Sequence, residues 1–207
     1  MNRPSEGVIK FALQHRTAPA LPAQATRELR AWFLICRQTG LLGQDARRYD
    51  GWAYGNLSRR WAAGFVITCT QTSGQQALTN EDFALVESFD ILRNSLSAHG
   101  PCQASSEAMT HGIIYRTLPR VGAVFHAHSP EIWQHAAELN LAVTDPDAEY
   151  GTPEMAGEVK KLLQRQDQPA GIFSMGGHED GIVSYAPDAE QAGLLMIQTL
   201  ARALIML

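Results

Sequence analysis

The sequence predicts an α/β layered domain, and three observations carry that expectation. Short apolar runs of strand length alternate with longer stretches whose apolar residues recur at helical spacing. Glycine, proline and serine punctuate the joins, and no internal repeat or low-complexity tract interrupts the alternation. The 207 residues are 45% hydrophobic, enough for one sizeable core and too few for two large ones.

The elements follow in order. Residues 1–22 are mixed in character and broken by prolines, which predicts an N-terminal arm or short first element; residues 23–207 are expected to form a single domain. From Pro22 the stretch through Cys36 reads as an amphipathic helix ending near Gly40, suited to cover one face of a sheet. Trp52 to Arg60 reads as an irregular strand pair around Gly55, and Phe65-Val-Ile-Thr68 as a short β-branched strand. After a turn at Thr72-Ser-Gly74, Phe83 to Phe89 is predicted as a strand. Ser105 is a possible N-cap for a helix running to Arg116. The apolar run from Val121 to His128 is a strand, and Ser129-Pro130 opens a helix through Leu139. Tyr150-Gly-Thr-Pro-Glu154 starts a helix to about Gln166. Ala170 to Met175 and Ile182 to Tyr185 are extended, with Gly176-Gly177-His178 breaking the chain between them, and Pro187 opens a long apolar C-terminal helix.

Composition narrows the function classes. A net charge of −4 and the absence of a basic cluster interleaved with aromatics argue against nucleic acid. No apolar stretch approaches membrane-spanning length and the first residues lack a signal-peptide core, so a soluble, cytoplasmic protein without a membrane partner is expected. Cys36, Cys69 and Cys102 match neither a disulfide framework nor a zinc knuckle and are read as reduced, structural thiols. Of the lysines, Lys10, Lys160 and Lys161, none sits in an apolar run that would suit Schiff-base chemistry.

The chemistry collects around histidine. His126 and His128 stand at i and i+2 on a strand, so both rings point to one face, where they can share a transition-metal ion or simply decorate a strand end. His178 also follows an apolar strand, in a glycine turn. As a third neutral imidazole it would leave an ion one open position; on its own it would only cap the strand. Glu107 lies in the first turn of the helix feeding the histidine strand, where a carboxylate can move a proton beside a metal or merely favour a helix N-terminus. Small residues at Gly55-Asn56-Leu57-Ser58, Thr72-Ser73-Gly74 and Ser105-Ser106 can donate hydrogen bonds to an anion or serve as ordinary turns.

Taken in order, Gly-Asn-Leu-Ser at 55–58, Thr-Ser-Gly at 72–74, Ser-Ser-Glu at 105–107, His-Ala-His-Ser at 126–129, Tyr-Gly-Thr-Pro-Glu at 150–154 and the His178 turn resemble the class II aldolase/adducin family over roughly residues 25 to 205. The resemblance implies a three-layer α/β/α fold with a central mixed β-sheet flanked by helices. It implies that His126, His128 and His178 bind Zn2+, or another divalent transition metal, and that Glu107 is the catalytic acid/base. By the same carry-over, Gly55, Asn56, Ser73, Gly74, Ser105 and Ser106 hold a substrate phosphate. The implied activity is a metal-dependent lyase that cleaves a small phosphorylated ketose by retro-aldol chemistry through a zinc-stabilised enediolate. The implied assembly is a homotetramer with sites at subunit interfaces.

Methylthioribulose-phosphate dehydratase, sugar-phosphate 4-epimerase and a non-catalytic adducin-like oligomerisation module are the alternatives on the same fold. The epimerase ranks lower because Glu107 stands where an aspartate is expected, and the intact histidine set argues against the module. Glu179-Asp180-Gly181 departs from the family pattern, which has a glycine directly after the histidine. Tyr115, Tyr150 and Tyr185 receive no role, being of a residue type that more often packs than reacts. His111 is read as a packing residue or a contact behind the ligands.

Overall fold

Every residue from Ala123 to His128 is buried, so this strand must sit inside a sheet covered on both faces. The computed structural model, which describes residues 7–166 and 168–207, places it there. Residues 1–6 of the expected N-terminal arm lie outside the described residues. The strands are β1 (Ala12–Thr17), β2 (Gly43–Gln44), β3 (Ala53–Tyr54), β4 (Asn56–Trp61), β5 (Gly64–Thr68), β6 (Phe83–Asp90), β7 (Ser95–Gly100), β8 (Ala123–His128), β9 (Ala142–Val143), β10 (Gly171–Ser174) and β11 (Gly181–Ala186). The helices are α1 (Ala23–Gln38), α2 (Ala108–Thr117), α3 (Pro130–Gln134), α4 (Pro153–Gln166) and α5 (Ala189–Leu204).

Nine strands form one sheet in the order β1-β7-β6-β5-β4-β8-β11-β10-β9, and β2 and β3 pair separately. The β1–β7 and β9–β10 pairs are parallel and the remaining pairs antiparallel, which makes the sheet mixed. Alternation along the central strands splits the interior into two cores. Phe125 and Ala127 of β8 pack with Leu29 and Phe33 of α1, Ile132 of α3 and Met196 of α5. Val124 of β8 and Val183 of β11 face the opposite way, toward Ile113 and Ile114 of α2 and Val159 and Leu163 of α4. The fold is therefore α/β with three layers, as the sequence leads one to expect. Among the described residues no helix is long and apolar enough to cross a membrane.

Several local expectations need correction. The segment around Gly55 is not one strand pair, because β3 pairs with β2 while β4 pairs with β5 and β8. Helix α2 does not start at Ser105: Ala104 pairs with Cys69 and the Ser105 amide donates to the Thr68 carbonyl, so the sheet keeps those residues and Glu107 becomes the N-cap. Helix α3 ends at Gln134 rather than Leu139, and the chain continues in turns that reverse at the left-handed Asn140 (φ 56°). The cysteines are not all reduced, since Cys69 and Cys102 form a disulfide across that same junction. Cys36 is a free buried thiol, and burial pushes its pKa up to about 12.

Candidate metal and catalytic site

Strand β8 is held on both sides by backbone pairing, His126 standing opposite Asn56 of β4 and Val183 of β11, and His128 opposite Gly181. Its two histidines emerge on the same face, with their Nε2 atoms 3.1 Å apart. His178 reaches them from the turn between β10 and β11. That turn is closed by hydrogen bonds from the His178 amide to the Met175 carbonyl (3.2 Å) and from the Gly181 amide to the His178 carbonyl (2.9 Å). Gly176 and Gly177 are required there, because a Cβ at either would overlap a backbone carbonyl, that of Thr144 or of Ala148. The His178 ring stacks on His126 at 5.1 Å and meets His128 edge-on at 4.7 Å.

One ligand atom from each of the three histidines lies within 4.8 Å of the others, and all three residues are buried. A tetrahedral ion with Zn–N bonds of about 2.0–2.1 Å needs nitrogens about 3.3–3.4 Å apart, so ring movements of about 1 Å close the set. The donor chemistry fits as well. Burial, with His178 and His126 alongside, holds His128 well below the ordinary histidine range, so its ring is neutral and ready to bind a cation.

Glu107 is buried against this cluster. Its Oε2 accepts from Asn56 Nδ2 at 2.9 Å and lies 2.7 Å from His126 Nε2; its Oε1 lies 3.1 Å from His178 Nδ1. Burial raises the carboxyl pKa, but the two adjacent histidines outweigh it and the group titrates well below the usual carboxylate range. A negatively charged carboxylate thus faces two of the three imidazoles. The arrangement can hold a divalent cation and keep a proton acceptor beside it.

The six small residues of the expected anion site fall on neighbouring segments. Gly55 (φ 78°) turns the chain against the backbone of His126, and Ser73 Oγ donates to the Gly55 carbonyl at 2.6 Å. Gly74 packs on the Gln44 side chain, Ser105 Oγ accepts from the Glu107 amide at 3.4 Å, and the Ser106 carbonyl faces Gly151. The Cys69–Cys102 bridge and the pairing of Cys69 with Ala104 join the 69–74 loop to the 104–107 segment. None of the six lines the large cavity of about 780 Å³ that opens beside His178.

That cavity is built largely by residues to which the sequence assigned no role. Arg48, Tyr49, Trp133, Tyr150 and Asp180 are among its walls. Tyr49 meets the His128 ring edge-on at 4.6 Å, donates its hydroxyl to Asp180 Oδ2 at 2.6 Å, and accepts from Arg48 Nη2 at 2.5 Å. Burial and the Asp180 carboxylate both raise the phenol pKa, so it stays a neutral donor. Tyr49 (φ 50°) and Asp50 (φ 55°) are left-handed, followed by Gly51 (φ 78°). Such residues cost roughly 1–3 kcal/mol each and persist where surrounding contacts hold them, here the Arg48–Tyr49–Asp180 chain. Nothing in the sequence aimed Tyr49 at a histidine. On the other side, Tyr150 stacks on His178 at 4.5 Å.

Residues 39–207 match the family model described as Class II Aldolase and Adducin N-terminal domain. No curated protein sequence matches the chain. Among solved structures, the chain is similar to L-fuculose-1-phosphate aldolase from Thermus thermophilus, with a TM-score of 0.66 and 21% identity over 89% of this chain and 93% of that one. A sugar-phosphate aldolase from Thermotoga maritima gives a TM-score of 0.65 and 15% identity, covering 88% and 93%. The N-terminal class II aldolase domain of a conserved protein from Thermoplasma acidophilum gives 0.59 and 15%, covering 94% and 99%. At these identities the structures speak to the fold, and the family model, spanning most of the sequence, decides membership: the chain belongs to the class II aldolase and adducin family.

Proposed function

We propose that the protein is a zinc-dependent lyase that splits a small phosphorylated ketose by retro-aldol cleavage, with His126, His128 and His178 as the metal ligands and Glu107 as the acid/base. The observation that carries this reading is the placement of a buried carboxylate against two members of a three-histidine cluster. Binding and proton transfer then fall to different residues. Family membership supports the reaction class, and the similar structures from T. thermophilus and T. maritima carry sugar-phosphate aldolase descriptions.

His126, His128 and His178 would hold a divalent ion, which would supply positive charge to offset the negative charge developing on substrate oxygens. Glu107, ionised at rest, takes up the proton lost when the substrate hydroxyl becomes the new carbonyl and delivers it to the carbon that is released; in the synthetic direction the same transfers run in reverse. Asn56 holds Oε2 of that carboxylate from the sheet side, so the proton-carrying oxygen keeps one orientation. Gly55, Asn56, Ser73, Gly74, Ser105 and Ser106 are assigned to the phosphate end of the substrate, and the cavity walled by Tyr49, Trp133 and Tyr150 to the opposite end. Holding both ends fixes the reacting carbon relative to Glu107.

The test is to load purified protein with zinc and screen phosphorylated ketoses, detecting dihydroxyacetone phosphate, dehydrated ketone and epimer separately. Dihydroxyacetone phosphate is the expected product. Dehydrated ketone or epimer alone would replace the lyase reading, and no turnover by fully loaded protein would remove it. Glu107→Gln should retain the ion and lose most turnover; undiminished activity would show that another group moves the proton.

A further inference from the structure

One buried polar side chain near the site has no task in the reading above. His111 lies one helical turn beyond Glu107 on α2 and is completely buried. Its Nδ1 is 2.6 Å from Ser58 Oγ, which in turn lies 2.8 Å from Tyr115 Oη and 3.4 Å from the Val124 carbonyl. Residues 107, 111 and 115 recur every four positions and so share one stripe of the helix. Asn56 and Ser58 stand at i and i+2 of β4 and so share one face of the sheet. Asn56 bonds Glu107, and Ser58 bonds His111 and Tyr115. The bonds form a polar seam between α2 and β4, inside an interface otherwise made by Phe65, Met109, Ile113, Ile114 and Val124.

An apolar helix face fixes its position weakly, because hydrophobic burial is non-directional and changes little when a helix rotates by a fraction of a turn. Hydrogen bonds are directional, and buried partners resist separation. The N-cap residue Glu107 has no side-chain capping bond to anchor the start of α2. Its carboxylate therefore depends on how the rest of the helix is registered. We propose that Ser58 and His111, together with Tyr115, are positioning residues that set the rotation and depth of α2 against β4 and thereby hold the Glu107 carboxylate at the histidine cluster. The inference rests on Glu107 being the proton-moving group.

Histidine suits this position because burial takes its pKa down to about 3, which keeps the ring neutral in ordinary buffers. A neutral ring carries hydrogen on one nitrogen only: hydrogen on Nδ1 donates to Ser58 Oγ, whereas hydrogen on Nε2 would bury an unpaired N–H, so the Nδ1–H form is favoured while Ser58 is present to accept. Nε2 has no hydrogen-bond partner among the described residues, so the contact through Nδ1 is what fixes the tautomer.

The experiment combines ring-nitrogen NMR of the zinc-loaded protein with steady-state kinetics on the ketose phosphate that the screen identifies. The variants are Ser58→Ala, Tyr115→Phe, His111→Asn and His111→Gln. Wild-type protein should show one tautomer at His111, and Ser58→Ala a mixture together with a shifted His126 signal. Metal content should be unchanged in Ser58→Ala while kcat falls about 10- to 100-fold, the usual cost of losing a supporting contact of this kind. KM should stay within about twofold, because substrate binding is not what the seam controls. An asparagine amide reaches the place of Nδ1 and a glutamine amide that of Nε2, so His111→Asn should restore most of kcat and His111→Gln should not.

A tautomer mixture in the wild type would overturn the proposal, as would full kcat in both Ser58→Ala and His111→Gln. If the His111 variants fail to fold, Ser58→Ala and Tyr115→Phe, which each remove a single oxygen, carry the test. A protein that turns over no sugar phosphate, yet loses its single tautomer and shifts His126 in Ser58→Ala, would refute the lyase reading and support the seam.

Discussion

Gly177→Ala is the smallest change that should dismantle the histidine cluster without touching a histidine. A Cβ built on Gly177 overlaps the Ala148 carbonyl group, lying 2.6 Å from its carbon and 3.0 Å from the Pro146 carbonyl oxygen. All of those atoms belong to backbone, so no side chain can rotate away. Carbon atoms pack at about 3.5–4.0 Å, so the turn must retreat by about 1 Å. His178 is the next residue, and its ring should move by a similar amount, comparable to the whole adjustment that closes the three donors on an ion. Overpacking of this sort costs about 1–3 kcal/mol, and a chain of this size loses about 2–4 °C of Tm per kcal/mol. The variant should melt roughly 2–12 °C lower, with metal affinity weakened about 10- to 100-fold. Calorimetry with and without chelator, and metal analysis after dialysis, read both quantities. Wild-type metal retention together with a wild-type Tm would show that the turn has slack and does not fix His178.

His126→Ala should lose the ion altogether, since it removes one of the three converging donors; full metal content in that variant would take His126 out of the ligand set. Acid should destabilise the metal-free protein in a defined window. His111 is depressed from 6.5 to about 3 and His128 is depressed as well, so the unfolded chain binds more protons, and stability present above about pH 6.5 is lost as pH falls toward 3. For His111 the loss reaches roughly 5 kcal/mol at the acid end, and a Tm that rises on acidification over this range would contradict the burial argument. The disulfide spans a separation of 33 residues, for which loop closure gives about 3–4 kcal/mol. Replacing both Cys69 and Cys102 by serine should therefore lower Tm by roughly 6–16 °C, and an unchanged melt would show that the pair adds nothing to the neighbouring backbone bonds.

What could be read in the sequence is what strand geometry and glycine enforce locally. Side-chain alternation alone puts His126 and His128 on one face, and burial of β8 on both sides makes that face an interior one. The Gly176-Gly177 pair announced a turn that only residues lacking Cβ could make, and the structure shows the carbonyls responsible. Contacts that depend on distant chain were not legible. Strand β7, Ser95–Gly100, escaped because its buried positions are Leu96, Ala98 and Gly100, an alternation too slight to read as apolar. Tyr49 escaped because its approach to His128 depends on two left-handed residues and on Asp180, far away in sequence. The disulfide escaped because Cys69 and Cys102 meet only after β6 and β7 have folded back on β5.

The same division runs through the site itself. The histidines are fixed by sheet pairing and by a turn packed under backbone carbonyls, so their placement is as rigid as the central strands. Glu107 is fixed by side chains: Asn56 from below, and the Ser58–His111–Tyr115 bonds that register its helix. Substitutions under the β10–β11 turn should therefore cost metal first and activity in consequence. Substitutions in the α2–β4 seam should cost turnover while the ion stays. A seam variant that released its metal before losing activity would show that the two supports are one, and that helix and sheet hold the site jointly.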